Sequence, residues 1–213
     1  NTLVIEENNI IFNSALAGGI NASQFSNLDL NLDGVMDILI FDKSGNRINP
    51  FVNQNGSYTY APEYRQFFPK LHDWAILEDY NCDGKNDIFT YNNGGISVYQ
   101  NTSVSELEFT EVTESFILSD YGSNFLNIYM SPVDIPAIAD IDYDGDLDIL
   151  TFSILGGFVE YHKNLSMELY GNCDSLAFEF SESCWGLFYE GLNSYILNCP
   201  NCQCPQINQN LQQ

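Results

Sequence analysis

Apolar residues in this chain come in short bursts, not in long amphipathic stripes. Residues 38–41 (ILIF), 88–91 (IFTY) and 149–152 (ILTF) are four-residue runs dominated by β-branched and aromatic side chains. Each run is followed by a glycine-bearing turn, at Ser44-Gly45, Gly94-Gly95 and Gly156-Gly157, and then by a second short run ending at an asparagine. Two short runs joined by such a turn predict a β-hairpin. The segments PKLHDWAILE (69–78) and SPVDIPAIA (131–139) add further short strands upstream of the second and third hairpins. Helix signals are sparse. Residues 103–114 carry enough Glu and Leu to suggest one, but their Thr and Val oppose it. The pattern predicts an all-β fold.

A polar window precedes each hairpin. The three windows are DLNLDGVMD (29–37), DYNCDGKND (79–87) and DIDYDGDLD (140–148), whose first residues lie 50 and 61 positions apart. A period of that size marks repeated supersecondary units, propeller blades among them. The closing asparagines Asn53, Asn101 and Asn164 fall 16, 14 and 16 residues after the last Asp of their windows, so the hairpin repeats in length as well as in type.

In the pattern D-x-[DN]-x-D-G-x-x-D, positions 1, 3, 5 and 9 all offer oxygen, and the glycine at position 6 permits the turn that gathers them. Hard oxygen donors at this density suit Ca²⁺, which takes about six to eight oxygens. The predicted sites are Asp29, Asn31, Asp33 and Asp37; Asp79, Asn81, Asp83 and Asp87; and Asp140, Asp142, Asp144 and Asp148. Position 7 (Val35, Lys85 and Asp146) is expected to lend its backbone carbonyl, with the Asp146 carboxylate pointing outward. Turns are rich in Asp, Asn and Gly in any case, but three copies with Asp fixed at 1, 5 and 9 exceed what turn chemistry requires. An EF-hand would place Glu at position 12 before a helix. Here position 12 is Ile40, Thr90 and Thr151, each inside a predicted strand.

Charge narrows the field of partners. The chain has 29 acidic against 6 basic side chains and a formal charge of −23. Six scattered cations cannot form the basic stripe that a phosphate backbone or an anionic membrane surface needs. No apolar run approaches the ~18 residues of a membrane span. Of the acidic residues, 11 of the 16 Asp fall in the three windows, which makes the charge a matter of binding sites more than of solubility.

These residues resemble the FG-GAP and VCBS-type repeats, calcium-loop β-propeller blades that also build integrin α-subunit heads, over roughly residues 21–165. The resemblance implies four-stranded blades and Ca²⁺ held by the twelve side chains above. It also implies three calcium-bearing blades plus a partial fourth, part of a ring of about seven. Residues 1–168 are expected to hold the repeats and residues 169–213 a cysteine-bearing C-terminal segment that is a candidate further partial blade. More narrowly, the segments APEYRQFFPKLHDW, SPVDIPAIADID and KNLSMELYGNCDSL are similar to secreted VCBS proteins of Bacteroidota, many of them cargo of type IX secretion. The opening at Asn1, without a signal peptide's basic and apolar regions, is expected of a processed or partial product.

Six cysteines in such a chain suit an oxidising, extracellular or cell-surface location, and allow 15 disulfide connectivities. Cys173 with Cys184 is one local pairing, and Cys82, at a non-ligand position of the second window, could tie the C-terminal segment to the second repeat. The run Cys199, Cys202, Cys204 is an alternative zinc motif short of a fourth donor. Neither His72 nor His162 has a nucleophile in a recognised motif, so the chain is expected to be non-catalytic. The expected function is a calcium-binding module for adhesion to a protein or glycan. The alternatives are cargo or an accessory subunit of an outer-membrane secretion or uptake complex, and the scaffold of a polysaccharide-acting enzyme. The aromatics Tyr58, Tyr60, Tyr64, Phe67 and Phe68 are expected mainly in packing.

Overall fold

The computed structural model describes residues 5–11, 14–199 and 204. After a two-residue hairpin, β1 (Glu6–Glu7) with β2 (Ile10–Ile11), come two four-stranded antiparallel meanders. The first contains β3 (Ser23–Leu28), β4 (Asp37–Asp42), β5 (Arg47–Gln54) and β6 (Ser57–Tyr60), in that spatial order. The second contains β7 (Ala75–Glu78), β8 (Asp87–Asn92), β9 (Gly95–Asn101) and β10 (Phe109–Glu111). Residues 103–108 are coil, and β10 takes part of the stretch whose helix signals were weak.

The third sheet is wider. A hairpin of β11 (Leu118–Asp120) and β12 (Phe125–Asn127) precedes the meander β13 (Ala137–Ala139), β14 (Asp148–Phe152), β15 (Val159–Asn164) and β16 (Phe178–Glu182). Strand β16 pairs antiparallel with β15 on one side and parallel with β11 on the other, giving the order β12-β11-β16-β15-β14-β13. Between β15 and β16 lies the helix α1 (Ser166–Tyr170). The residue 168 boundary expected from sequence therefore falls between β15 and its hydrogen-bonded neighbour β16. A last hairpin joins β17 (Tyr189–Gly191) to β18 (Ser194–Ile196). Among the described residues no helix is long and apolar enough to cross a membrane.

Local chemistry sets these elements. The β8–β9 turn consists of Asn93 and Gly94, both at positive φ (45° and 91°), the two-residue turn whose twist matches antiparallel strands. Just after it, a Cβ on Gly95 would meet Phe116 Cβ at 2.8 Å, so a side chain there would displace Phe116. The core lies between sheets. Leu28, Leu39, Phe41 and Val52 of the first sheet pack with Leu77 and Ile88 of the second. On the other face of the second sheet, Phe89, Ile96 and Val98 pack with Ile138, Ile149 and Phe178 of the third, around a fully buried Trp74. Neighbouring Ile88 and Phe89 serve opposite clusters because alternate strand residues face opposite ways. This explains why the runs read as continuous apolar bursts: the middle sheet is buried on both faces. Each such side chain contributes about 1.5–3 kcal/mol by burial.

Of the aromatics after the first hairpin, Phe68 is buried and stacked on Phe109, with ring centroids 5.4 Å apart. Tyr64 and Phe67 pack on the first cluster, and Tyr58 is exposed. The disulfides join Cys82 to Cys173 and Cys184 to Cys204. This corrects the local Cys173–Cys184 pairing. Cys82 on the second acidic loop is instead the partner of Cys173, so that loop is tied to the C-terminal segment. Cys202 lies outside the described residues.

Candidate metal centres

Each acidic window connects the first and second strands of its meander: β3 to β4, β7 to β8 and β13 to β14. The backbone is folded the same way in all three. The residue at position 4 is left-handed, with φ of 59° at Leu32, 59° at Cys82 and 66° at Tyr143. The glycine at position 6 follows at 82°, 84° and 105°, a region that a Cβ penalises. Two such residues in three turn successive N–H groups toward the loop's own carboxylates.

The first-position carboxylate accepts them. Asp29 takes the N–H of Asp33 (3.1 Å) and of Gly34 (2.8 Å); Asp79 takes those of Asp83 (3.1 Å) and Gly84 (2.8 Å). In the third loop Asp140 takes the N–H of Asp144 (3.1 Å). The third-position amide oxygens of Asn31 and Asn81 accept from Asp33 and Asp83 (3.1 and 3.2 Å). The fifth-position carboxylates of Asp33, Asp83 and Asp144 accept the N–H groups of Val35, Lys85 and Asp146 (2.8, 2.9 and 3.2 Å). Three oxygen-bearing side chains are thereby fixed around each of the first two loops, and two around the third.

The ninth-position Asp does something different. Asp37, Asp87 and Asp148 are buried at the start of the second strand. One oxygen of each accepts the N–H of loop position 2: Leu30 at 2.8 Å, Tyr80 at 3.1 Å and Ile141 at 2.9 Å. The other accepts the N–H of the closing asparagine: Asn53 at 2.7 Å, Asn101 at 2.7 Å and Asn164 at 2.9 Å. The closing asparagines in turn use their side chains nearby. The amides of Asn53 and Asn101 donate to the carbonyls of Met36 and Asn86, both at 3.2 Å, immediately before the ninth-position Asp. A single carboxylate thus pins the loop to the far end of the hairpin.

Burial makes two of these carboxyls, Asp87 and Asp148, reluctant to ionise. It pushes Asp87 up to about 6, against the opposing pull of the Asn101 and Tyr80 N–H groups, and it raises Asp148. A divalent cation among the oxygens would offset that cost. In the third loop, carboxylate oxygens of Asp140, Asp142 and Asp148 lie within 4.8 Å of one another. Oxygens about 2.3–2.6 Å from one Ca²⁺ have that mutual spacing.

The third loop departs from the other two. Asp146 does not point outward as expected. It is buried, and its Oδ2 accepts the N–H of Met167 at 2.8 Å, because α1 follows β15 and lays its first turn across the loop. Its Oδ1 has no hydrogen-bond partner, and burial pushes the carboxyl up to about 6. Sequence reasoning also missed Glu168 and Lys163. Carboxylate oxygens of Asp142, Asp144 and Glu168 form a second group within 4.8 Å. Lys163 Nζ donates to Asp142, forms an ion pair with Glu168 and lies 3.4 Å from Asp144. A signal existed in the sequence: the residue before the closing asparagine is Lys163 in the third repeat, but Val52 and Gln100 in the first two.

The histidine side chains make their contacts elsewhere. His72 is exposed, with Nδ1 3.3 Å from the Asn46 amide. His162 is fully buried, with Nδ1 2.9 Å from Ser119 Oγ and Nε2 3.9 Å from Glu160. Serine, histidine and glutamate in this order could suggest a nucleophile and its base. Ser119 and His162 are both shut off from solvent, however, and burial pushes the imidazole down to about 3.

The comparison with protein families falls on these loops. Residues 79–151 match the FG-GAP-like repeat. The match runs from the first Asp of the second loop to the strand after the third, so it contains two of the three candidate centres. The first loop lies outside the matched FG-GAP-like residues but makes the same hydrogen bonds from positions 1, 3, 5 and 9. No curated protein and no solved structure was found to match the chain.

Proposed function

We propose that this chain is a calcium-binding β-propeller module, non-catalytic and extracellular or displayed at the cell surface, that presents its loops to a protein or glycan partner. The observation that carries this reading is the clamp made three times by Asp37, Asp87 and Asp148, which holds each oxygen-rich loop against its hairpin. The three meanders act as blades, with β16 completing the third. Ca²⁺ would be held by Asp29, Asn31, Asp33 and Asp37; by Asp79, Asn81, Asp83 and Asp87; and by Asp140, Asp142, Asp144 and Asp148, with the position 7 carbonyls of Val35, Lys85 and Asp146 as further donors. The ion neutralises carboxylates that otherwise repel one another and fixes loop to strand. The Cys82–Cys173 and Cys184–Cys204 disulfides are compatible with an oxidising compartment.

Thermal unfolding in EDTA and again in excess Ca²⁺ tests the reading. A ligand that binds only the folded state adds about 2.7 kcal/mol at 100 times its Kd. A folded sample whose melting temperature ignores Ca²⁺ would refute it.

A further inference from the structure

The three loops are not equivalent toward a cation. Loops one and two each offer three carboxylates and one amide, and Lys85 Nζ approaches the second only to 3.9 Å from Asp83. Loop three carries Asp at positions 1, 3, 5, 7 and 9 and is joined by Glu168 from α1. An ammonium already sits among these groups. Lys163 Nζ is bonded to Asp142 and Glu168 and lies 3.4 Å from Asp144.

Its placement is built into the fold. Lys163 is on β15, directly before Asn164, whose N–H is held by Asp148, and its backbone is paired with Glu179 of β16 on the opposite side. The same clamp that fixes the hairpin to the loop therefore fixes the root of this side chain. Asp142 belongs to both carboxylate groups, the one with Asp140 and Asp148 and the one with Asp144 and Glu168. A divalent ion entering the first group must share Asp142 with the ammonium or displace it.

We propose that Lys163 is the resident cation of the third loop, so that this loop binds Ca²⁺ at least ~10-fold more weakly than loops one and two. The proposal rests on the calcium-binding reading of the other two loops. It changes the expected stoichiometry from three ions to two tight ones, and it makes the third repeat a unit whose order is independent of calcium.

Calorimetric titration of the full chain with CaCl₂, alongside Lys163→Met, tests it. The wild type should show two tight sites and the variant three. Three equal sites in the wild type, or two in both proteins, would overturn the proposal. If neither protein takes up calcium, the functional reading fails, and unfolding in EDTA judges Lys163 by itself. Lys163→Met should then melt below the wild type, and adding Glu168→Gln should recover part of the loss; a variant as stable as the wild type overturns the resident-cation role. Amine acylation of the wild type, read by mass spectrometry, needs no variant. Lys163 should react more slowly than exposed Lys70 both without CaCl₂ and at a CaCl₂ concentration that fills only the two tight sites, whereas acceleration at that concentration would mean that the ammonium is displaced as readily as the tight sites fill, against the proposal.

Discussion

The bond between Cys82 and Cys173 joins a residue of the second loop to the segment after α1, across a sequence separation of 91. Beside it, Cys82 Sγ lies 3.8 Å from the carbonyl of Gly145 in the third loop, so the link stands where two repeats meet. Replacing both cysteines by serine frees the unfolded chain from a large closed loop. In the chain-entropy account the loss is about 4.6 kcal/mol at 25 °C for a loop of this size. The Cys184–Cys204 bond, with a separation of 20, gives about 3.3 kcal/mol by the same relation. For a domain of this size, about 2–4 °C per kcal/mol turns the first loss into a fall in melting temperature of roughly 9–18 °C. Urea unfolding of the oxidised wild type and of the two double-serine proteins, all at saturating Ca²⁺, measures both. The long-range pair must cost more than the short-range one. A loss below about 1 kcal/mol for Cys82→Ser with Cys173→Ser, or the reverse ranking, would refute the reasoning.

Two further outcomes are expected. Asp87→Asn keeps one acceptor of the clamp and turns an amino group toward the other backbone N–H; the orphaned group costs about 1–3 kcal/mol, whereas Asp83→Asn on the exposed rim changes metal-free stability by about 0.5 kcal/mol or less. Coincident urea midpoints for the two variants in EDTA would remove the clamp from the account. Because burial holds His162 down to about 3, the folded protein stays neutral there while the unfolded chain takes up a proton below its ordinary value of about 6.5. His162 therefore withdraws stability as pH falls from about 6.5 toward 3, by about 2 kcal/mol at about pH 5. His162→Gln should flatten that acid limb, and parallel pH profiles for the two proteins would contradict it.

The repeats and their hairpins were legible because their signals are local: an invariant glycine at loop position 6, apolar runs of four, and a closing asparagine at a nearly fixed distance. The reason for that asparagine was not legible, since its backbone N–H meets the ninth-position Asp and its side-chain amide bonds to nearby backbone only once the hairpin has brought the two ends together. Other features depended on contacts distant in sequence. Strand β16 is a short segment whose place comes from β15 and β11, and α1, at five residues, is too short to show a helical period. The sequence places Asp146 beside Val35 and Lys85 at loop position 7, and the bond from Met167 that turns its carboxylate inward comes from 21 residues further along the chain. Lys163 and Glu168 lie outside the acidic window, 15 and 20 positions beyond Asp148. The disulfide pairing was half legible: the position of Cys82 outside the ligand set points to a tie with the C-terminal segment, but nothing local distinguishes Cys173 as its partner, 91 residues away.

The clamp also dictates where this architecture can grow. The distance from the ninth-position Asp to the closing asparagine is 14 or 16 residues, and a one-residue slip of either strand between these anchors would swap the faces that meet the two cores. A single-residue insertion inside a strand is thus a frame error, while an insertion at the hairpin tip lengthens only the turn. Between units no such frame applies. The extra 11 residues that separate the second and third windows, 61 against 50, fall in the connection that carries β11 and β12, which the third sheet accepts as additional strands. Variation in length, and any grafted recognition segment, belongs in those connections.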